Sequence, residues 1–193
     1  MPKINSNEFN TLIRNRKSTY PNDYLDKQID VEILENILEN ALWAPTHKNT
    51  QPWSFVVFQK DSLPEFSKEM MNAYKRYFPI EKRNERKMKK IVNNPLKAGA
   101  IISINLNRHE DQIQEWEEIA AVAMAVQNIY LSCSTYGLVG YWSTPSFRTE
   151  MTNFLELTQN QKSLGFFYLA HPKEEVSSPL RERKSIHEKV RWV

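Results

Sequence analysis

A chain of 193 residues, 25% charged and 40% hydrophobic, has the length and composition of one globular domain with a sizeable core. Its net charge of +3 is modest, its single Cys133 rules out an intrachain disulfide, and no apolar run is long enough to span a bilayer. The N-terminus carries no apolar signal segment, so the cytoplasm is the expected compartment, with no membrane partner.

The first expected helix covers residues 5–15, capped by Asn5 or Ser6, with Phe9, Leu12 and Ile13 on one face. It runs into Arg14-Asn15-Arg16-Lys17-Ser18-Thr19-Tyr20-Pro21, where Pro21 disfavours helix at Tyr20. Three cations and two hydroxyls at a helix exit suit the helix dipole, and they suit a phosphate monoester equally. Asp30 opens a second helix, 31–43, with an apolar stripe of Val31, Leu34, Leu38, Ala41 and Leu42 widened by Ile33 and Ile37.

The connector Trp43-Ala44-Pro45-Thr46-His47-Lys48-Asn49-Thr50-Gln51-Pro52-Trp53 follows. Two indoles, two prolines and a run of imidazole, ammonium and amide groups exceed what a helix-to-strand link requires, which points to the edge of a ligand site. Residues 54–58 read as a buried strand. Residues 62–93 read as polar helix broken near Pro79, with Met70, Met71, Tyr74, Tyr77 and Phe78 packed rather than forming a lid. Eight Lys or Arg lie between Lys75 and Lys90 against Glu81 and Glu85; without a reading motif they form a solvated face, and no nucleic-acid partner is expected.

Residues 98–106 read as a second buried strand, and Ile113 to Tyr136 as the longest helix. From Ile119 to Leu131 that helix is apolar almost all round, which predicts burial partly against a second subunit. Cys133 within it reads as a small buried hydrophobe. Gly137 ends the helix, and Gly137-Leu138-Val139-Gly140-Tyr141-Trp142-Ser143-Thr144-Pro145 reads as a glycine-punctuated loop offering backbone N–H groups and hydroxyls before a helix at 146–157. Ser163 to Ala170 is a third strand, and the tail from Pro179 to Val193 is basic, with cations at 181–184. His109, His171 and His187 show no metal-binding spacing, so no metal is expected.

Cations at 14–17 and 181–184, with polar, aromatic-flanked loops at 43–53 and 137–145, suit a ligand with a phosphate at one end and a flat, amide-edged ring at the other. Flavin mononucleotide (FMN) fits. Pyridoxal phosphate fits nearly as well, with Lys48 available for a Schiff base.

Four collinear segments resemble the nitroreductase family of FMN-dependent oxidoreductases. Arg16-Lys17-Ser18 resembles its N-terminal phosphate motif, Trp43 to Phe55 its A-P-x-x-x-N-x-Q-P-W-x-F motif, Gly137 to Trp142 its G-[LF]-G-x-x-W turn, and Arg183 to Trp192 its terminal segment. The resemblance implies a single domain over 1–193 with an α+β, three-layer α/β/α fold. Its sheet is central and mainly antiparallel, its long central helix lies at a homodimer interface, its C-terminal tail is extended, and FMN sits at the interface. It implies Arg16, Lys17, Ser18 and Arg183 at the phosphate, Asn49 with Gln51 at the ring, and Trp142, Ser143 and Thr144 near the redox-active nitrogen. Trp43 and His47 reach the partner's flavin in the same pattern, and Lys48 and His47 are the candidates to stabilise negative charge on the reduced ring. Tyr20, Ser185 and Arg191 depart from the family pattern. The implied activity is a ping-pong hydride transfer from NADH or NADPH to nitroaromatics, quinones or similar acceptors. The flavin carries the chemistry and no side chain is assigned as catalytic. The alternative is a non-redox protein that binds a flavin or another phosphate-bearing ligand on the same fold.

Overall fold

The computed structural model describes residues 5–173 and 182–193. Helix α1 (Ser6–Asn15) is capped by the Asn5 side chain, which accepts from the Asn7 N–H. Helix α2 (Val31–Leu42) buries Leu34, Ile37 and Ala41, half-buries Ile33 and Leu38, and leaves Val31 and Leu42 in solvent, so the expected stripe is narrower by its two ends. Strand β1 (Trp53–Phe58), helices α3 (Ser62–Tyr77) and α4 (Glu85–Leu96), strand β2 (Ala100–Asn107), helix α5 (Glu115–Thr135) and strands β3 (Val139–Ser143) and β4 (Gln161–Ala170) complete the set.

The four strands form one antiparallel sheet in the order β1-β2-β4-β3. Alternation along β2 explains the layering. Ala100, Ile102, Ile104 and Leu106 join one core with α2 and α5, while Ile101 joins Phe66, Met70, Tyr74 and Phe147 on the other face. A strand covered on both faces reads as an unbroken apolar run, as β2 does. Each fully buried Ile contributes about 1.5–3 kcal/mol on transfer from water. The α3–α4 region is packed, as expected: Met70 and Tyr74 are buried and Tyr74 meets Phe147 edge-on at 5.5 Å.

Three expectations need correction. Strand β1 lies at a sheet edge, so its apolar run is only partly buried and Val57 is exposed. Residues 139–143 form a paired strand, not a loop, because their backbone finds partners on β4 from Phe166 to Ala170. Gly140 permits the approach, since a Cβ there would lie 2.3 Å from the Tyr168 carbonyl oxygen. The helix expected at 146–157 is a six-residue 3-10 segment, Ser146–Met151, followed by turns.

Helix α5 buries Ala121, Val122, Ala125, Val126 and Ile129 but leaves Trp116, Ile119 and Met124 exposed. Its apolar circumference is therefore half covered within this chain. No helix among the described residues is long and apolar enough to cross a membrane. Residues 182–193 are exposed, while Pro179, Leu180 and Arg181 of the basic tail lie outside the described residues.

Candidate functional site

Helix α1 closes with the Arg16 N–H donating to the Leu12 carbonyl at 3.1 Å, and the chain leaves it extended. Ser18 then bridges Gly140 in parallel, and the Thr19 N–H donates to the Gly140 carbonyl at 3.0 Å. The N-terminal basic segment is thus held against β3. Tyr130, from the middle of α5, organises the junction. Its ring lies under the Arg16 guanidinium at 4.8 Å and meets Phe167 edge-on at 4.6 Å. Its hydroxyl accepts from the Trp142 N–H at 2.9 Å and lies 3.3 Å from Ser18 Oγ. Arg16, Lys17, Ser18 and the Trp142 backbone therefore converge, although the resemblance assigns the first three to the phosphate and Trp142 to the ring, and Tyr130 is the residue that sequence reasoning missed. The available signal was a phenol in an otherwise apolar helical run.

A cleft of about 250 Å³ opens here, lined by Asn15, Lys17, Tyr130, Ser134, Gly137 and Gly140 among others. Guanidinium, ammonium and hydroxyl donors around it match the needs of a phosphate monoester. Cys133 also borders the cleft, but burial pushes its thiol up to about 12, which keeps it protonated and unreactive.

The connector 43–53 forms a second, separate unit. Lys48, Asn49 and Gln51 adopt left-handed backbone angles, with φ of 51°, 54° and 45°. Such conformations cost on the order of 1–3 kcal/mol each outside glycine and persist only when neighbours enforce them. The enforcing contacts are visible. The His47 ring pairs with the Glu117 carboxylate, Lys48 Nζ donates to the Gln112 carbonyl at 2.9 Å, Gln51 N–H donates to Thr46 Oγ1 at 3.2 Å, and Gln51 Nε2 donates to Asn49 Oδ1 at 3.1 Å. The ammonium and imidazole expected near a ring are thus engaged with the N-terminal end of α5 and the turn before it. Trp43 caps α2 and is 80% exposed.

That end of α5 is itself anchored. Glu118 is fully buried, pairs with Arg108, and accepts from the His109 N–H at 2.9 Å, with His109 Nδ1 at 2.7 Å. A buried carboxylate without such partners would cost several kcal/mol. The cluster fixes the 108–114 turn, whose Gln112 holds Lys48.

The two units do not meet in one chain. Glu117 and Tyr130 are separated by thirteen residues of α5, about 20 Å at 1.5 Å per residue. The connector also leads into β1, at the opposite sheet edge from β3, about 14 Å away across three strand spacings. Arg183 is exposed and donates to the Glu182 carbonyl at 3.0 Å, and among the described residues the tail also forms a capping box between Ser185 and Glu188. Ser143 and Thr144, beyond the junction on β3, line a further cavity with α4.

The Nitroreductase family profile matches residues 13–171, most of the chain, and the chain belongs to that family. Among its relatives, YdjA of Escherichia coli strain K12 is 26% identical over 153 residues, which covers 77% of this chain and 81% of YdjA. A nitroreductase-like family protein from Bacillus cereus shares the fold with a TM-score of 0.84 at 24% identity, covering 100% of this chain and 98% of its own. NfnB of Mycobacterium smegmatis, an FMN-dependent nitroreductase solved in complex with NADPH, superposes with a TM-score of 0.76 at 12% identity, over 97% of this chain and 99% of NfnB.

Proposed function

We propose that this protein is a cytoplasmic, homodimeric, FMN-dependent oxidoreductase that uses NADH or NADPH to reduce a nitroaromatic, quinone or similar acceptor. One observation carries the reading: Arg16, Lys17 and Ser18 gather around Tyr130 at Gly140, and Ser143, with Thr144 just after it, lies about 10 Å further along the same strand. A phosphate at the first point and a flat ring at the second describe an elongated ligand laid along β3. Lys48 has its amine on the Gln112 carbonyl, apart from the phosphate donors of its own chain.

When bound, FMN supplies hydride acceptance from a nicotinamide and electron delivery to the acceptor. The chain's own residues do the rest. Arg16, Lys17 and Ser18 hold the phosphate, joined by Arg183 once the tail is docked. Tyr130 fixes Arg16 by its ring and the Trp142 backbone by its hydroxyl, so that β3 is rigid where the ring lies. The separation of the connector from this cluster supports a site completed by a second copy. Trp43, His47, Asn49 and Gln51 then serve the partner's flavin as one unit. On this reading Asn49 and Gln51, expected at the ring of their own chain's flavin, join Trp43 and His47 on the partner's. Exposed Trp116, Ile119 and Met124 on α5 supply an apolar surface for that copy.

Purified protein should be yellow, dimeric by light scattering, and bleached anaerobically by NADH or NADPH. Colourless protein that cannot be reconstituted with FMN would sink the reading, and flavin retained but reduced by neither nicotinamide would make the chain a binding protein.

A further inference from the structure

The cavity beside Ser143 and Thr144 has a composition that the phosphate cluster does not explain. It encloses about 250 Å³ between α4 and the exit of β3. Its floor is aromatic, from Tyr141, Phe147 and Tyr168, and Met70 adds a thioether. Tyr141 stacks on Tyr168 at 5.1 Å, and the exposed Tyr20 ring lies tilted against it at 4.9 Å. Hydrogen-bonding groups come from Asn94, Ser143 and Thr144. The rim carries Lys87 and Lys90, one helical turn apart on α4 and hence on one face. Among the described residues neither ammonium has a carboxylate partner; Lys87 lies over the Phe78 ring at 4.9 Å and the Tyr74 ring at 5.5 Å. Two like charges on one helix face repel slightly, and a bound anion would relieve that repulsion.

We infer that this cavity binds a single-ring aromatic acid, its ring on the Tyr141, Tyr168 and Phe147 floor and its acidic group between Lys87 and Lys90. The volume is below the roughly 300 Å³ at which drug-sized sites begin, so a one-ring molecule fits and a dinucleotide does not. The acceptor role of that acid rests on the flavin reading above, through the shared Ser143 and Thr144; its binding does not. For a nitro-substituted acid the step is nitro to nitroso. One hydride from NAD(P)H and one solvent proton deliver two electrons and two protons, and one oxygen leaves as water.

The test compares para-nitrobenzoate with its neutral isostere para-nitrobenzamide on FMN-loaded protein, by calorimetry and by steady-state reduction. The acid should bind tighter, with a KM lower by about ten-fold, a margin typical of charge-assisted contacts. The double variant Lys87→Ala with Lys90→Ala should bring the acid-to-amide ratio near one, and Lys90→Arg should keep the preference. Added salt should shrink it, because both ammonium groups are exposed. FMN content and anaerobic bleaching of each variant report on the flavin site separately. Equal affinity for acid and amide, a preference that survives the double variant, or an effect confined to the KM of NADH or NADPH would each overturn the inference. Protein that takes no FMN fails the oxidoreductase reading alone, and calorimetry with para-nitrobenzoate still decides the pocket.

Discussion

Tyr130 shows how much one side chain can organise. Its ring supports Arg16, its hydroxyl meets Ser18, and it accepts the Trp142 N–H. Tyr130→Phe keeps the edge-on contact with Phe167 but orphans that N–H in a partly buried strand. The expected cost is about 1–3 kcal/mol, read as a lower urea midpoint, together with weaker FMN retention measured by flavin fluorescence. A second residue-scale consequence concerns alkaline pH. Burial lifts the Cys133 thiol from 9.0 to about 12 and raises the Tyr24, Tyr141 and Tyr168 phenols. The folded chain keeps these protons where the unfolded chain loses them, so their contribution is intact below about pH 9 and drains away as pH rises towards 12. Urea midpoints measured from pH 8 upward should fall through that window, and thiol reagents at pH 8 should label Cys133 only after unfolding.

At the scale of elements, β3 is where local sequence and tertiary structure disagree. Two glycines within four residues argued for a loop, since glycine weakens a strand interior. The strand forms because β4 presents a free edge, and Gly140 is tolerated because nothing larger passes the Tyr168 carbonyl. Gly140→Ala should therefore be destabilising by several kcal/mol, with loss of the Thr19 and Ser18 contacts, seen as a large drop in thermal midpoint and flavin content. The amphipathic helices were legible because their apolar spacing and caps are local signals; α1 and α5 begin and end within two residues of expectation. The short 3-10 segment at Ser146–Met151 was not, since polar residues there suit a helix and only packing of Phe147 and Met151 against the α3 side decided the tighter turn.

For the whole molecule, the exposed apolar side of α5, with Trp116, Ile119 and Met124, has the largest consequence. Met124 is 39% exposed, so Met124→Glu should cost an isolated chain little. Placed in a helix-to-helix interface it would bury a charge, and the protein should become monomeric and flavin-poor by light scattering and absorbance. A variant that stays dimeric and yellow would remove α5 from the interface and, with it, the shared site. The same logic applies to the exposed tail, where Ile186, Trp192 and Val193 present apolar surface that the described part of this chain does not cover.

By itself the sequence determined the helices α1 to α5, the strands β1, β2 and β4, the two-faced burial of β2, the family, and the polar residues of each motif, because these depend on composition and short-range spacing. It assigned Arg16, Lys17, Ser18 and Arg183 to a phosphate, Asn49 and Trp142 to a ring, and His47 to a partner's flavin. Tertiary structure brings Arg16, Lys17, Ser18 and the Trp142 backbone together at Tyr130, and it carries the connector to the far edge of the sheet and the far end of α5. Tyr130 belonged to no motif. Its role exists only where a helix interior, a chain entry and a strand edge meet, and no spacing along the chain encodes that meeting.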